Sequence, residues 1–247
     1  MKTKNIAILI PTTSKNRTFE SVEDCDLYKY TISSFEKIKN KEHRYLYLIG
    51  VDEDDIFYNN PKIREAFKKI PNVKIEWFEY PPSDGNVVFI WNDLYKKAYM
   101  NKDIKFDYFH QTGDDIVYMD KNMVNTAILK LREMNDLGVV GPKDWGRCQI
   151  NPEDELLTQT FVGRSHYEML GYYFHPFLRN WYCDNYITNL YKLNDRYFQL
   201  PQRIQNSGGL PRYVVDNAQD TYRECVLKDV GKLTYFEECK KRILYNI

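Results

Sequence analysis

The stretch YFHQTGDDIVY (Tyr108 to Tyr118) places two adjacent carboxylates, Asp114 and Asp115, one glycine beyond a run of strand-forming residues. Like charges side by side repel, so a chain that keeps such a pair at a strand end either turns both to water or sets them on a cation. A divalent ion bridging a diphosphate needs hard oxygen ligands at one fixed spot. One or two aspartates on a strand-end loop supply them, while phosphates and water complete the shell. Taken alone, the pair fits a solvated turn before a helix as well or better, because aspartate is common there for turn and capping reasons. The choice rests on what else lies at the neighbouring strand ends.

Those neighbours follow from the apolar pattern. IAILIP (Ile6 to Pro11) and RYLYLIGV (Arg44 to Val51) are short, continuously apolar and β-branched, as strands buried on both faces of a parallel sheet are. Between them, Leu27, Tyr30, Thr31, Ser34, Phe35 and Ile38 recur at helical spacing, giving a strand, helix, strand unit. The pattern continues with a strand over VKIEWFEY (Val73 to Tyr80), the turn PPSDGN, a helix from about Val88 to Met100, and a strand over FDYFHQ (Phe106 to Gln111). A helix from Asn122 to Met134 and a short VVG strand stopping at Pro142 come next. Ligands of open α/β sheets bind outside the carboxyl ends of the strands, and Thr12, Asp52 and Asp114 all fall at such ends. Beyond Thr158 the sequence becomes dense in aromatics up to Tyr191, with a helix beginning near Asp184. Gln202 to Asp216 reads as a loop punctuated by Gly and Pro, and the rest as a helical tail.

Composition narrows the function classes. At 247 residues the chain is long enough for one α/β domain with a full core. Lys plus Arg and Asp plus Glu both number 35, so no broad basic field exists to attract nucleic acid or anionic lipid, and an anionic ligand must be caught locally. Five widely spaced cysteines without a C-x-x-C pair read as reduced thiols in a cytoplasmic setting. No stretch reaches transmembrane length, and the apolar run after the N-terminal lysines is too short for a signal-peptide core. The 21 tyrosines supply ring faces with a polar tip, suited equally to wet core edges and to sugar contacts.

The order of features, strand then PTTSKNR, strand then VDEDD, strand then GDDI, and then an aromatic segment leading to WYCDN, resembles the GT-A fold of nucleotide-sugar glycosyltransferases, in particular inverting, family-2-like members. The resemblance spans roughly the first 190 residues. It implies a single domain over 1–247, with a nucleotide-sugar-binding half (1–141) and an acceptor-binding half (142–247), built on a mostly parallel sheet flanked by helices. It also implies a donor carrying a nucleoside diphosphate, a UDP sugar above all, and a carbohydrate or glycoconjugate acceptor. In such a site Pro11, Thr12 and Arg17 would touch the base and diphosphate, Asp52 the base or ribose, and Asp114 the ribose. Asp115 would hold Mn2+ or Mg2+, and Asp184 would be the catalytic base. Two departures stand out: Ile116 replaces a frequent third acid, and no histidine follows His175.

Each role has a plainer competitor. Asp184 suits an N-cap of the helix it opens as well as a base, and Glu153, Asp154 and Glu155 are reserve acids that read as a solvated loop. Arg17, Arg203 and Arg212 could fork onto phosphates, although most arginines serve the surface. NSGGLPRY favours Arg212, because paired glycines permit a loop that closes over the donor. Trp181 adjoins Asp184 and could stack on an acceptor sugar, whereas Trp91, Tyr172, Tyr173 and Phe174 suit the core. His110, inside a strand, suits a satisfied core histidine, and Asn92 resembles a residue of the family helix that packs beneath the donor site, with a helix-surface amide as its plainer competitor. Two other functions compete: a sugar nucleotidyltransferase, which PTTSKNR opposes by lacking glycine, and a catalytically silent nucleotide- or carbohydrate-binding module. Retention at the anomeric carbon stays open beside inversion.

Overall fold

The computed structural model describes residues 2–209, 212 and 214–245, with side chains through residue 240. Strands β1 (Asn5–Thr12), β2 (Arg44–Asp52), β3 (Ile75–Tyr80) and β4 (Tyr108–Gln111) come from the first half. β5 (Ile116–Tyr118), β6 (Val139–Asp144), β7 (Thr160–Gly163) and β8 (Tyr197–Asn206) complete one eight-stranded sheet in the order β3-β2-β1-β4-β7-β6-β8-β5. β1 runs parallel to both β2 and β4, and β2 runs parallel to β3. β7 is antiparallel to β4 and β6, β6 is parallel to β8, and β5 is antiparallel to β8. The sheet is thus mixed and mostly parallel, with helices on both faces. It runs unbroken through both proposed halves, whose boundary falls inside β6.

The apolar runs of β1 and β2 are buried on both faces because each face carries its own core. Ala7 and Leu9 point into one cluster with Leu94, Tyr95, Phe109 and Tyr186, and Ile6, Ile8 and Ile10 into the other with Phe35, Tyr47 and Phe161. The helix α3 (Val87–Tyr99) lies close on the first face: a Cβ at Gly50 would stand 2.3 Å from the Ile90 methyl, so only glycine lets α3 settle on β2. On the second face a π-helix (Leu27–Ile32) runs directly into α1 (Ser33–Ile38). The helix α4 (Met123–Glu133) packs there too.

Several elements depart from the expected pattern. α2 (Pro61–Lys68) starts from Asn60, whose side chain accepts from the Lys62 amide, with proline in the first turn. α5 (Trp145–Ile150) is capped by Asp144, and α6 (Arg164–Leu170) follows β7 directly. The segment read as a loop from Gln202 to Asp216 is strand as far as Asn206, because β8 finds a partner on each side in β5 and β6. β6 continues past Pro142 to Asp144, with a register shift between Pro142 and Lys143 opposite which β8 carries two extra residues, Pro201 and Gln202. α7 (Cys183–Lys192) and the long α8 (Gln219–Tyr245) close the first face. Among the described residues no helix is long and apolar enough to cross a membrane.

Candidate functional site

The strand order turns between β1 and β4: successive parallel strands step outward to one side as β1, β2, β3, and β4 then returns to the other side of β1. At such a switch point the loops leaving neighbouring strands part and leave a crevice beyond their carboxyl ends. Thr12, Asp52 and Gln111 end β1, β2 and β4, and Asp114 and Asp115 follow three and four residues after Gln111.

The acid-bearing turn is fixed from three directions. The buried Thr31 hydroxyl, on the π-helical turn, donates to the Gly113 carbonyl (3.0 Å) and accepts from the Ile116 amide (2.9 Å). Irregular helical turns of this kind recur where a side chain must be aimed. Ser34 accepts from the Tyr118 amide (2.9 Å), Gln159 accepts from the Gly113 amide (2.9 Å), and the Ser207 amide donates to the Asp115 carbonyl (2.8 Å). Beneath the turn His110 is a satisfied core imidazole, stacked on Phe161 with ring centroids 3.8 Å apart and bonded to Thr160 O and the Tyr118 hydroxyl.

Asp114 is only 2 % exposed, and both its oxygens are taken. Thr12 donates to Oδ2 at 2.6 Å and Arg212 Nη1 to the same oxygen at 2.8 Å, while Arg212 Nη2 donates to Oδ1. Arg212 Nη1 also reaches the Thr13 carbonyl at 2.9 Å. Asp26 Oδ2 and Asp115 Oδ2 lie 3.8 and 3.9 Å from the same guanidinium. Burial opposes the charge on Arg212 and Asp114 outweighs it, so its acidity is weaker still than an ordinary arginine's. Asp115 is pushed up to about 7 by burial and by the charge of Asp114, against the pull of Arg212. Asp26 is raised for the same first two reasons. Arg17 stands one step back: Nη2 holds the Gly208 carbonyl (2.6 Å) and Nε faces Asp26 (3.4 Å), so it braces the loop that carries Arg212. That loop passes directly over Asp115, and a Cβ at Gly208 would fall 1.8 Å from Oδ2.

Two cavities open from this point. One, of about 350 Å3, is lined by Pro11, Thr12, Lys15, Asp52, Ser83 and Arg212. Asp52 sits at its edge, accepting from the Ser83 amide (3.1 Å) and hydroxyl (3.3 Å), and burial raises its carboxyl above the usual range. The other, of about 440 Å3, contains Asp114, Asp115, Arg147, Trp181, Asp184 and Arg212. Pro11, Val87 and Arg212 line both. A larger cavity of about 920 Å3 lies at the opposite end of the sheet, where β1 and β2 begin, among Lys37, Lys39, Lys41, His43 and Arg44. It lies away from the switch point and from every carboxylate discussed above.

Asp184 is in the first turn of α7, and the cap position belongs to Tyr182, so the N-cap reading is corrected. Its Oδ1 accepts from the Asn185 amide at 2.9 Å, and burial raises its carboxyl above the ordinary range. Tyr182 is left-handed (φ 67°), a conformation costing a bulky residue on the order of 1–2 kcal/mol. Its ring stacks on Tyr222 of α8 at 5.4 Å and 4°, and this contact holds the bend that brings Trp181 and Asp184 to the cavity wall. Trp181 is 48 % exposed there.

Other candidates are placed elsewhere. Arg203 forks onto Asp120 (2.8 and 2.9 Å) over the Trp145 ring, outside both cavities. Asp154 pairs with Arg147 and Glu155 with Lys192. Asn92 is a tie across the first face rather than a surface amide: it donates to the Phe174 carbonyl (2.8 Å) and accepts from the Tyr173 and Phe174 amides (2.9 and 2.8 Å). Sequence reasoning missed Lys15, Ser83, Arg147 and Asp26. Lys15 and Ser83 lay in quoted turns without a role, and Arg147 hides in a one-and-a-half-turn helix whose only signal was the capping Asp144.

A divalent ion would need carboxylate oxygens turned toward a diphosphate. Asp114 has both engaged by Arg212 and Thr12, and Asp115 lies under Gly208. Among the described residues no group of three or more His, Cys, Asp or Glu is placed to hold an ion. The residues in this arrangement do not fit the metal that the resemblance implies.

No protein-family model matches the chain, and no curated protein sequence matches it. Among solved structures the chain is similar to residues 1–349 of S. aureus TarS, at 13 % identity and a TM-score of 0.52, with 93 % of this chain covered. It is also similar to the same fragment in complex with UDP, at 16 % identity, a TM-score of 0.49 and the same 93 % coverage. The chain spans 65 % of the length of each. The strand order, the switch point and the match at 0.52 together give this chain a GT-A-type fold.

Proposed function

We propose that the chain is a glycosyltransferase that moves a sugar from a nucleoside-diphosphate donor, a UDP sugar, to an acceptor hydroxyl with inversion. The observation that carries the reading is the junction of two cavities at Arg212. The cavity with Asp52, Ser83 and Thr12 has hydrogen-bonding groups for a base and ribose. Arg212 and Lys15 set positive charge where a diphosphate would cross toward the cavity containing Asp184. There the acceptor hydroxyl would lie against the Asp184 carboxylate, with Trp181 offering a face to its ring.

The reaction needs three groups. Asp184 takes the acceptor proton as the new bond from oxygen to the anomeric carbon forms. The bond from that carbon to the phosphate oxygen breaks on the opposite face, which gives inversion. The leaving diphosphate keeps the electron pair and is met by the guanidinium of Arg212, a planar fork matched to phosphate oxygens. A raised Asp184 carboxyl is the better base, since its affinity for the proton lies closer to working pH.

The test is donor hydrolysis and transfer across a panel of nucleotide sugars. Asp184→Asn is expected to lower turnover about 100- to 10,000-fold with nucleotide affinity kept within about twofold. Unchanged turnover in that variant refutes the assigned base. Nucleotide binding without turnover on any donor would favour a silent binding module.

A further inference from the structure

The guanidinium of Arg212 lies against the acid pair, in direct contact with Asp114 and 3.9 Å from Asp115. It has five N–H donors. Three are assigned: two forked end-on to Asp114 and one to the Thr13 carbonyl. Among the described residues, Nε–H and the second Nη2–H remain. Together they form the side-on face of the guanidinium, a fork whose spacing matches two oxygens of one phosphate. Arg212 lines both cavities, so a phosphate lying between nucleotide and acceptor meets the residue that already neutralises Asp114. Three carboxylates surround this one cation, with Asp26 and Asp115 at 3.8 and 3.9 Å and Asp114 in direct contact. Gly208 covers Asp115 while Arg17 clamps the Gly208 carbonyl, which keeps the loop in its docked position.

We propose that Arg212 is a built-in replacement for the divalent cation of this fold, so that nucleoside diphosphate binding is independent of metal and Arg212 and a metal ion exclude one another at Asp114 and Asp115. The inference rests on the proposed donor class for its nucleotide arm alone; the exclusion of metal follows from the docked guanidinium. Removing Arg212 leaves Asp26, Asp114 and Asp115 without their shared counter-charge and frees the Asp114 oxygens from the guanidinium, so a divalent ion becomes the competing way to offset them.

The experiment titrates the full chain with Mn2+ alone, read by water-proton relaxation, and with UDP by calorimetry in EDTA and in Mn2+. Wild type is expected to bind no Mn2+ up to about 1 mM and to bind UDP equally, within about twofold, in the two buffers. Arg212→Ala is expected to gain Mn2+ binding that is lost again in Arg212→Ala/Asp115→Asn, and to bind UDP at least about tenfold more weakly in EDTA than in Mn2+. Stoichiometric Mn2+ binding by wild type that Asp115→Asn removes, or a tenfold loss of wild-type UDP affinity in EDTA, overturns the proposal. If UDP binds wild type in neither buffer, the donor assignment falls, and the Mn2+ titration still decides the exclusion. The wild-type titrations stand by themselves if Arg212→Ala does not fold.

Discussion

Replacing Asp115 by asparagine is expected to make the ligand-free protein more resistant to heat, and increasingly so as pH rises. The folded protein holds the Asp115 proton up to about pH 7, whereas the unfolded chain releases it near 3.8. A carboxyl raised in this way contributes stability that is present in full below the unfolded value and is lost as pH rises through the folded one. Between pH 5 and pH 8 the loss runs over about two pH units, at about 1.4 kcal/mol each, or about 3 kcal/mol. For a chain of this size that corresponds to about 6–12 °C in midpoint. Buried histidines act in the opposite sense: burial holds His110 to about 3 and His166 to about 4, so the unfolded imidazoles gain protons below 6.5 and wild-type stability rises with pH up to that point. The wild-type curve alone therefore mixes two trends of opposite sign. The difference between the two proteins isolates Asp115, because both carry the same histidines. Thermal denaturation at pH 5, 6, 7 and 8 reads it. The midpoint gap is expected to widen by about 6–12 °C in favour of Asp115→Asn between pH 5 and pH 8. A gap that stays flat or shrinks would refute the claim that burial and Asp114 together hold a proton on this residue.

Two further substitutions probe how the site is positioned. Asn92→Ala leaves the Tyr173 and Phe174 amides and the Phe174 carbonyl without partners. At about 1–3 kcal/mol for each such group, partly offset by water, the loss is about 4 kcal/mol, and the thermal midpoint is expected to fall by about 10 °C; a fall under about 3 °C would show that the amide is no tie. Gly208→Val places a side chain where even a Cβ would stand 1.8 Å from Asp115, so the loop must lift and release Arg17 from the Gly208 carbonyl. On the proposed function, displacing Arg212 by an ångström or more is expected to cost transfer about 100-fold with little change in the thermal midpoint; steady-state kinetics beside thermal denaturation check both.

Much of the fold was legible because burial on both faces writes a continuous apolar run. Ile6 to Pro11 and Arg44 to Val51 could be read as central strands without knowing their neighbours, and the polar residue ending each run, Thr12 or Asp52, was readable as a strand-end group for the same reason. The rest is written more faintly. β5 has three residues and β8 holds Pro201 within a half-exposed mixed pattern, so only their pairing with each other and with β6 makes them strands. α2 did carry a local signal in Asn60-Pro61, a capping side chain followed by proline in the first turn, and that signal was overlooked.

The acid pair shows a different limit. Adjacent aspartates announce that a positive charge must come to them, and nothing near them in the chain says which. An ion, a substrate cation and an arginine all satisfy the same local pattern. Arg212 arrives from 98 residues away, carried by a loop whose glycines indicated mobility but not destination. Asp26 and Arg17 both come from the connection between β1 and the π-helical turn, so the charge balance of the site is assembled from three separate segments. A motif can therefore fix where charge accumulates, whereas the identity of the neutralising group depends on how distant loops close. Here that closure sets Arg212, and no group near in the chain, directly against Asp114.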